Sequence, residues 1–292
     1  MTTAANVADY PLPRERNLIL GSLLVLAAGA WALLIWQSAV MDDEMSLTMS
    51  MGAPLFIALW VVMMIAIMFP TAAPMILMFN RVHNQRRERG QSFVPTWIFV
   101  AAYLLVWSAT GITAYGVAVV ADELADRSMW LMDNAARMGG VVLIGAGLYQ
   151  LSPLKNVCLN KCRSPISFIL HSWRDGYWGS FRMGLEHGVY CLGCCWLLFV
   201  ILFPLGMMNI AVLAGIAALI FAEKSTAWGR QIARAAAVAL IVYGTVVVFV
   251  PDALPMMMDD STMTSESMDN GGRTGGDGMG GMDDGGGTGA MP

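Results

Sequence analysis

The stretch GVYCLGCCWLLFVILFPLGMMNIAVLAGIAALIFA, residues 188–222, decides the fold. It runs for 35 residues without a charge. As one helix it would be about 52 Å long at about 1.5 Å per residue, far beyond a bilayer core of about 30 Å. Pro204, Gly206 and Asn209 stand near its middle, and such residues punctuate helices. The stretch therefore predicts a tight helical hairpin, residues 186–206 and 209–222.

Five further uncharged runs lie outside it: Leu18–Trp36, Pro54–Asn80, Phe93–Ala121, Met138–Leu154 and Ala235–Pro251. Each is close to or above the length that crosses a membrane as a helix. The expected architecture is all-α: a polytopic membrane helix bundle of about seven transmembrane helices. Residues 1–17 form a cytoplasmic N-terminal segment, 18–251 the bundle, and 252–292 an extracytoplasmic tail. The tail is rich in Gly, Asp and Met and has no apolar run, a composition that predicts disorder. Charged residues make up 13% of the 292, against about 25% in soluble domains, which excludes an ordinary water-soluble globule. The net charge of −4 leaves no basic face for nucleic acid. The partner that this composition requires is a lipid bilayer.

The charges are sorted by sign. With the N-terminus inside, 14 of the 17 basic residues fall in cytoplasmic segments and 15 of the 21 acidic residues fall outside. This is the positive-inside pattern of a plasma-membrane protein. A six-helix count would move Lys224, Arg230 and Arg234 to the outer side. The N-terminus also lacks the basic start, early apolar run and cleavage site of a signal peptide, so the first helix reads as a retained anchor.

All five cysteines lie between Cys158 and Cys195. Cys158 and Cys162 fall in the loop after the fourth span. Cys191, Cys194 and Cys195 open the fifth. The topology puts both groups at the cytoplasmic face, where disulfides do not persist. In a helix His187, Cys191 and Cys194 follow an i, i+4, i+7 pattern and share a face, with Cys195 in register with the first two. Thiolate and imidazole donors suit Cu(I), the favoured ion here, or Zn(II). His171 and Glu186 are secondary candidates. Glu186 has Arg182 as an ion-pair partner four residues back, or orients a ligand histidine. Packing of the cysteines as small apolar side chains is the plain alternative. The Cys191–Cys194 spacing also reads as a redox C-x-x-C pair.

The chain has 24 methionines. Met64, Met68 and Met75 share one face of the second span, as core filling or as soft ligands. That span carries Pro70 and Pro74, which free backbone carbonyls. Met41, Met45 and Met49 lie in an acidic outer loop, and eight more lie in the tail. Thioethers bind Cu(I) in an oxidising compartment where thiols fail. Compositional drift accounts for the tail equally well.

Three stretches resemble a known family. WVVMMIAIMFPTAAPM (Trp60–Met75), GLYQLSPLKNVCLNKCRSP (Gly147–Pro165) and MGLEHGVYCLGCCW (Met183–Trp196) are similar to the domain-of-unknown-function 2182 family, predicted metal-binding integral membrane proteins of prokaryotes. MMN at Met207–Asn209 and AEK at Ala222–Lys224 belong to the same pattern, which spans roughly residues 54–250. The resemblance implies metal binding at Cys158, Cys162, His187, Cys191, Cys194 and Cys195. Ile67 stands where the family pattern has a second methionine, and the methionine tail lies beyond the family region.

The expected function is binding of a soft metal through the cytoplasmic Cys/His cluster, in metal uptake, delivery or metalloenzyme assembly. A metallochaperone or a membrane metalloenzyme is the expected protein partner. The alternatives are a membrane thiol oxidoreductase using Cys191 and Cys194, and a non-catalytic structural subunit. No nucleophile elbow, phosphate loop or paired-carboxylate site stands out, which favours a role outside catalysis.

Overall fold

The computed structural model describes residues 12–40, 51–207 and 209–254, and these are helical with no strand among them. The helices are α1 (Leu12–Val40), α2 (Ala53–Glu88), α3 (Thr96–Arg127), α4 (Met129–Gln150), α5 (Pro153–Arg163), α6 (Pro165–Ser172), α7 (Gly176–Val200), α8 (Leu202–Leu205), α9 (Ile210–Ser225) and α10 (Gly229–Phe249). A 3-10 turn at Pro251–Ala253 closes the described chain. Met41, Met45, Met49 and the tail beyond residue 254 lie outside the described residues.

Five segments among them are long and apolar enough to cross a membrane: Arg14–Val40, Ala53–Glu88, Thr96–Arg127, Gly176–Leu205 and Gly229–Phe249. The all-α reading holds at that level. The other two expected spans correspond to α4, which carries Asp133 and Arg137, and to α9, which has 16 residues. The long uncharged stretch does break. Gly206 has φ +92°, a left-handed conformation open to glycine at no steric cost. Asn209 then caps α9, its side chain accepting from the Val212 N–H at 3.1 Å.

α2 is the central helix, packed against α1, α3, α6 and α9. Apolar residues surround it, as expected of a helix buried on every side, and it continues through Pro70 and Pro74. Its 36 residues would span about 54 Å, so the polar end from Arg81 to Glu88 extends past the apolar part.

Glycines let the neighbouring helices approach closely, as small residues do at membrane helix interfaces. On α4 and α10, a Cβ at Gly140 would stand 2.8 Å from the Gly244 carbonyl. One at Gly147 would stand 2.8 Å from the Ala237 carbonyl. On α7, Gly184 and Gly188 admit Phe99, Ala102 and Val106 of α3. Large apolar side chains remain exposed along the outer faces, and the exposed Trp36, Trp97, Trp130, Trp178 and Trp228 all sit near helix ends. That is the placement of an aromatic belt at a membrane–water boundary.

The segment between α4 and α7, expected as a loop, folds as the two short helices α5 and α6. Ser152 caps α5 by accepting from the Lys155 N–H at 3.1 Å, and Pro153 occupies the first helical position. This Ser-Pro start is legible in the sequence.

Candidate metal centre

α7 carries His187, Cys191, Cys194 and Cys195 on its inward side, all four buried. The spacing of three and four residues stacks them over successive turns. α5 carries Cys158 and Cys162 one turn apart and lies directly on α7. A Cβ at Gly193 would stand 2.7 Å from the Cys158 sulfur, so glycine at 193 is what lets the two segments meet. Tyr149 at the end of α4 donates its hydroxyl to the Gly193 carbonyl and ties the same turn. All five cysteines are free thiols.

Cys162 stands near the thiols of Cys191 and Cys194 across this contact. Interaction with Cys191 and Cys194, followed by burial, holds the Cys162 thiol well above its ordinary pKa. Burial, followed by the nearby Cys194, pushes the Cys158 thiol up. Both shifts favour the neutral thiol in the metal-free chain.

Cys191 is the hub. Its sulfur lies 3.1 Å from the Tyr103 hydroxyl of α3, 3.1 Å from the Lys224 ammonium of α9 and 3.8 Å from the Met68 sulfur of α2. Four helices thus converge on one atom. The Cys194 and Cys195 thiols are turned back along α7, donating to the Cys191 carbonyl at 3.1 Å and 2.9 Å. His187 sits in an aromatic sleeve, stacked on Tyr103 and Phe99 with Phe168 at its edge, and its Nδ1 has no hydrogen-bond partner. Among the described residues no three His, Cys, Asp or Glu side chains stand ready as a cation site.

The donor chemistry nevertheless fits a soft ion. Two sulfur ligands at about 2.3 Å from a metal stand about 3.8–4.6 Å apart for angles between tetrahedral and linear. The Met68–Cys191 separation of 3.8 Å falls in that range. Thiolate and thioether together select Cu(I), and His187 adds a buried nitrogen without a partner.

The secondary candidates divide. Of Met64, Met68 and Met75, all buried in α2, Met68 reaches the thiols. His171 is exposed on α6, with Nδ1 2.7 Å from the Ser167 carbonyl. Glu186 pairs with Arg174 at 3.0 Å and Arg182 at 3.5 Å.

Sequence reasoning passed over Tyr103, Thr71 and Lys224. Lys224 counted as a charge in a cytoplasmic loop and as the end of the AEK stretch, with no link to the thiols, yet its ammonium also lies 3.4 Å from the Thr71 hydroxyl and 3.9 Å from the Met68 sulfur. The available signal was its place at the end of a 16-residue helix of about 24 Å, too short to carry the charge clear of the core. His83 was also passed over. It is buried between Phe79 and Trp173, and neither ring nitrogen has a partner.

No curated protein and no solved structure matches the chain. The PpoB2 family, described as a copper chaperone, matches residues 57–247, a span that takes in α2 from its second turn, all five cysteines and most of α10. This copper-related family agrees with the metal-binding resemblance read from the three motifs. With about two thirds of its length matched, including Met68, Cys191 and Lys224, the chain belongs to the PpoB2 copper chaperone family.

Proposed function

We propose that this protein is a multi-pass membrane chaperone that holds Cu(I) in the sulfur cluster of Cys191, Cys162 and Met68. Cys158, Cys194, Cys195 and His187 serve as further ligands that become available when their thiols or ring turn inward. The observation that carries this reading is the 3.8 Å approach of the Cys191 and Met68 sulfurs, with Cys162 close to Cys191 from a separate helix. The copper is cargo, taken up at this cluster and passed to a metallochaperone or to a membrane metalloenzyme under assembly.

The membrane reading assigns seven spans, with α4 lying along α10 and α9 completing the hairpin begun by α7. The N-terminus lies in the cytoplasm and the C-terminal tail outside, and the cluster faces the reducing compartment where thiols stay free. The basic residues of the α2 and α5–α6 segments support that sidedness.

The test is Cu(I) competition against a chromogenic chelator, with purified full-length protein in detergent under anaerobic conditions. Wild type should retain stoichiometric Cu(I), and Cys162→Ser plus Cys191→Ser should abolish it. Copper at stray levels in the wild type, or retention unchanged by the two substitutions, overturns the reading. A second reading, a thiol oxidoreductase, has the Lys224 ammonium beside Cys191 in its favour, since a cation promotes a reactive thiolate. It predicts a Cys191–Cys194 alkylation pattern that follows the ambient redox potential, whereas the copper reading predicts one that does not.

A further inference from the structure

We propose that Lys224 is the charge-selecting residue of the sulfur cluster, the built-in cation that makes it accept a monovalent metal ion in preference to a divalent one. The inference rests on the copper-binding reading above and adds the basis of its selectivity.

The geometry is specific. A lysine ammonium has three donors and no acceptor. Here they meet three acceptors on two helices: the Cys191 sulfur at 3.1 Å, the Thr71 hydroxyl at 3.4 Å and the Met68 sulfur at 3.9 Å. The ammonium therefore lies against the same two sulfurs that are spaced to hold a metal. The adjacent carboxylate does not neutralise it. Glu223 points elsewhere, into an ion pair with Lys155 at 2.6 Å and a hydrogen bond from Gln150 at 3.1 Å. The Lys224 charge is thus directed at Cys191, Met68 and Thr71.

Charge balance then decides between ions. Metal-bound cysteines are thiolates. Two thiolates with Cu(I) carry one net negative charge, and with Lys224 the assembly is neutral. Two thiolates with Zn(II) are already neutral, and Lys224 leaves one uncompensated positive charge. In a site enclosed by four helices, an uncompensated charge is strongly penalised. The same donors without Lys224 would reverse the charge contribution to that preference, because the cuprous complex would then be the charged one. Softness of the ligands favours Cu(I) in both cases, so the lysine's share is read from a change in ratio and not from affinity alone.

The experiment measures Cu(I) and Zn(II) affinities separately, each by chelator competition, on full-length protein in detergent. The variants are wild type, Lys224→Met, Lys224→Gln and Lys224→Arg. The Cu(I)-to-Zn(II) affinity ratio should fall by about 100-fold in Lys224→Met and Lys224→Gln, as expected for losing a charge contact at this distance. Lys224→Arg, which keeps the charge, should hold the ratio within about tenfold of wild type. An unchanged ratio in whichever neutral variant elutes as a monodisperse folded species overturns the inference while leaving the copper-binding reading intact. A ratio that falls equally in Lys224→Arg also overturns it, assigning the lysine a packing role. Wild type that binds no Cu(I) overturns the proposed function itself, a result read before any Lys224 variant is compared.

Discussion

Lys155 on α5 and Glu223 on α9 form an ion pair of 2.6 Å with both side chains sealed from solvent, 1% and 2% exposed. Gln150 at the end of α4 adds a hydrogen bond to the same carboxylate. Three helices are therefore fastened at one buried charge pair. Breaking such a pair from one side leaves an unpaired buried charge and costs about 3–5 kcal/mol, whereas replacing both partners with apolar residues is close to neutral. Lys155→Met and Glu223→Leu should each lower the thermal unfolding midpoint in detergent sharply. The double variant should recover most of the loss.

Copper affinity should follow the order of sulfur placement. Cys191→Ser should weaken Cu(I) binding by more than the roughly 10- to 100-fold typical of losing a residue that only orients a ligand. Met68→Leu keeps the packing volume and should weaken binding to a smaller extent. Cys195→Ser should have the least effect, since its thiol is satisfied by the Cys191 carbonyl. Chelator competition on the three variants in parallel checks the ranking.

The Cys162 thiol is held above its ordinary pKa by interaction with Cys191 and Cys194 and by burial. Its thiolate fraction near neutral pH is therefore below that of a free cysteine, and the thiolate is the reactive form. Maleimide labelling of Cys162 should be slow near neutral pH and accelerate only as pH rises well past the usual thiol range. In Cys191→Ala the first of those interactions is gone, and the labelling profile should move to lower pH. Mass spectrometry of the α5 peptide over a pH series checks this.

A side chain at Gly147 would meet the Ala237 carbonyl at 2.8 Å and Ile241 Cγ1 at 2.7 Å. Neither helix can yield without separating the α4–α10 pair. Gly147→Val should destabilise the protein by about 1–3 kcal/mol, the usual scale for overpacking. Gly145, which has open space around it, should accept the same substitution. Fluorescence-detected size exclusion after heating distinguishes the two.

What the sequence made legible depended on whether the deciding interaction was local. The hairpin break could be read from Gly206 and Asn209, because a left-handed turn and a helix cap are local choices. The shared face of His187, Cys191 and Cys194 could be read because helical periodicity fixes it. The arrival of Lys224 at Cys191 could not, since 33 residues and a membrane turn separate them. Lys155 shows the same limit. By position it is a loop charge like Lys161, yet the structure seals it against Glu223. A charge count assigns sides of the membrane but does not say which charges leave water. The segment expected as a loop after α4 illustrates the reverse case, where a readable Ser-Pro start at residues 152–153 announced α5.

Glu223 and Lys224 are consecutive residues in the last turn of α9, and consecutive side chains on a helix diverge by about 100°. One grips α5 and α4 through Lys155 and Gln150, and the other grips α2 and α7 through Thr71 and Cys191. The end of α9 is thus a rivet driven through four walls. A backbone shift of that single turn that loosens one grip loosens the other. The sulfurs around Cys191 and the scaffold that presents Cys158 and Cys162 to them accordingly share one mechanical fate, and a loosened α5 leaves the cluster without two of its five thiols.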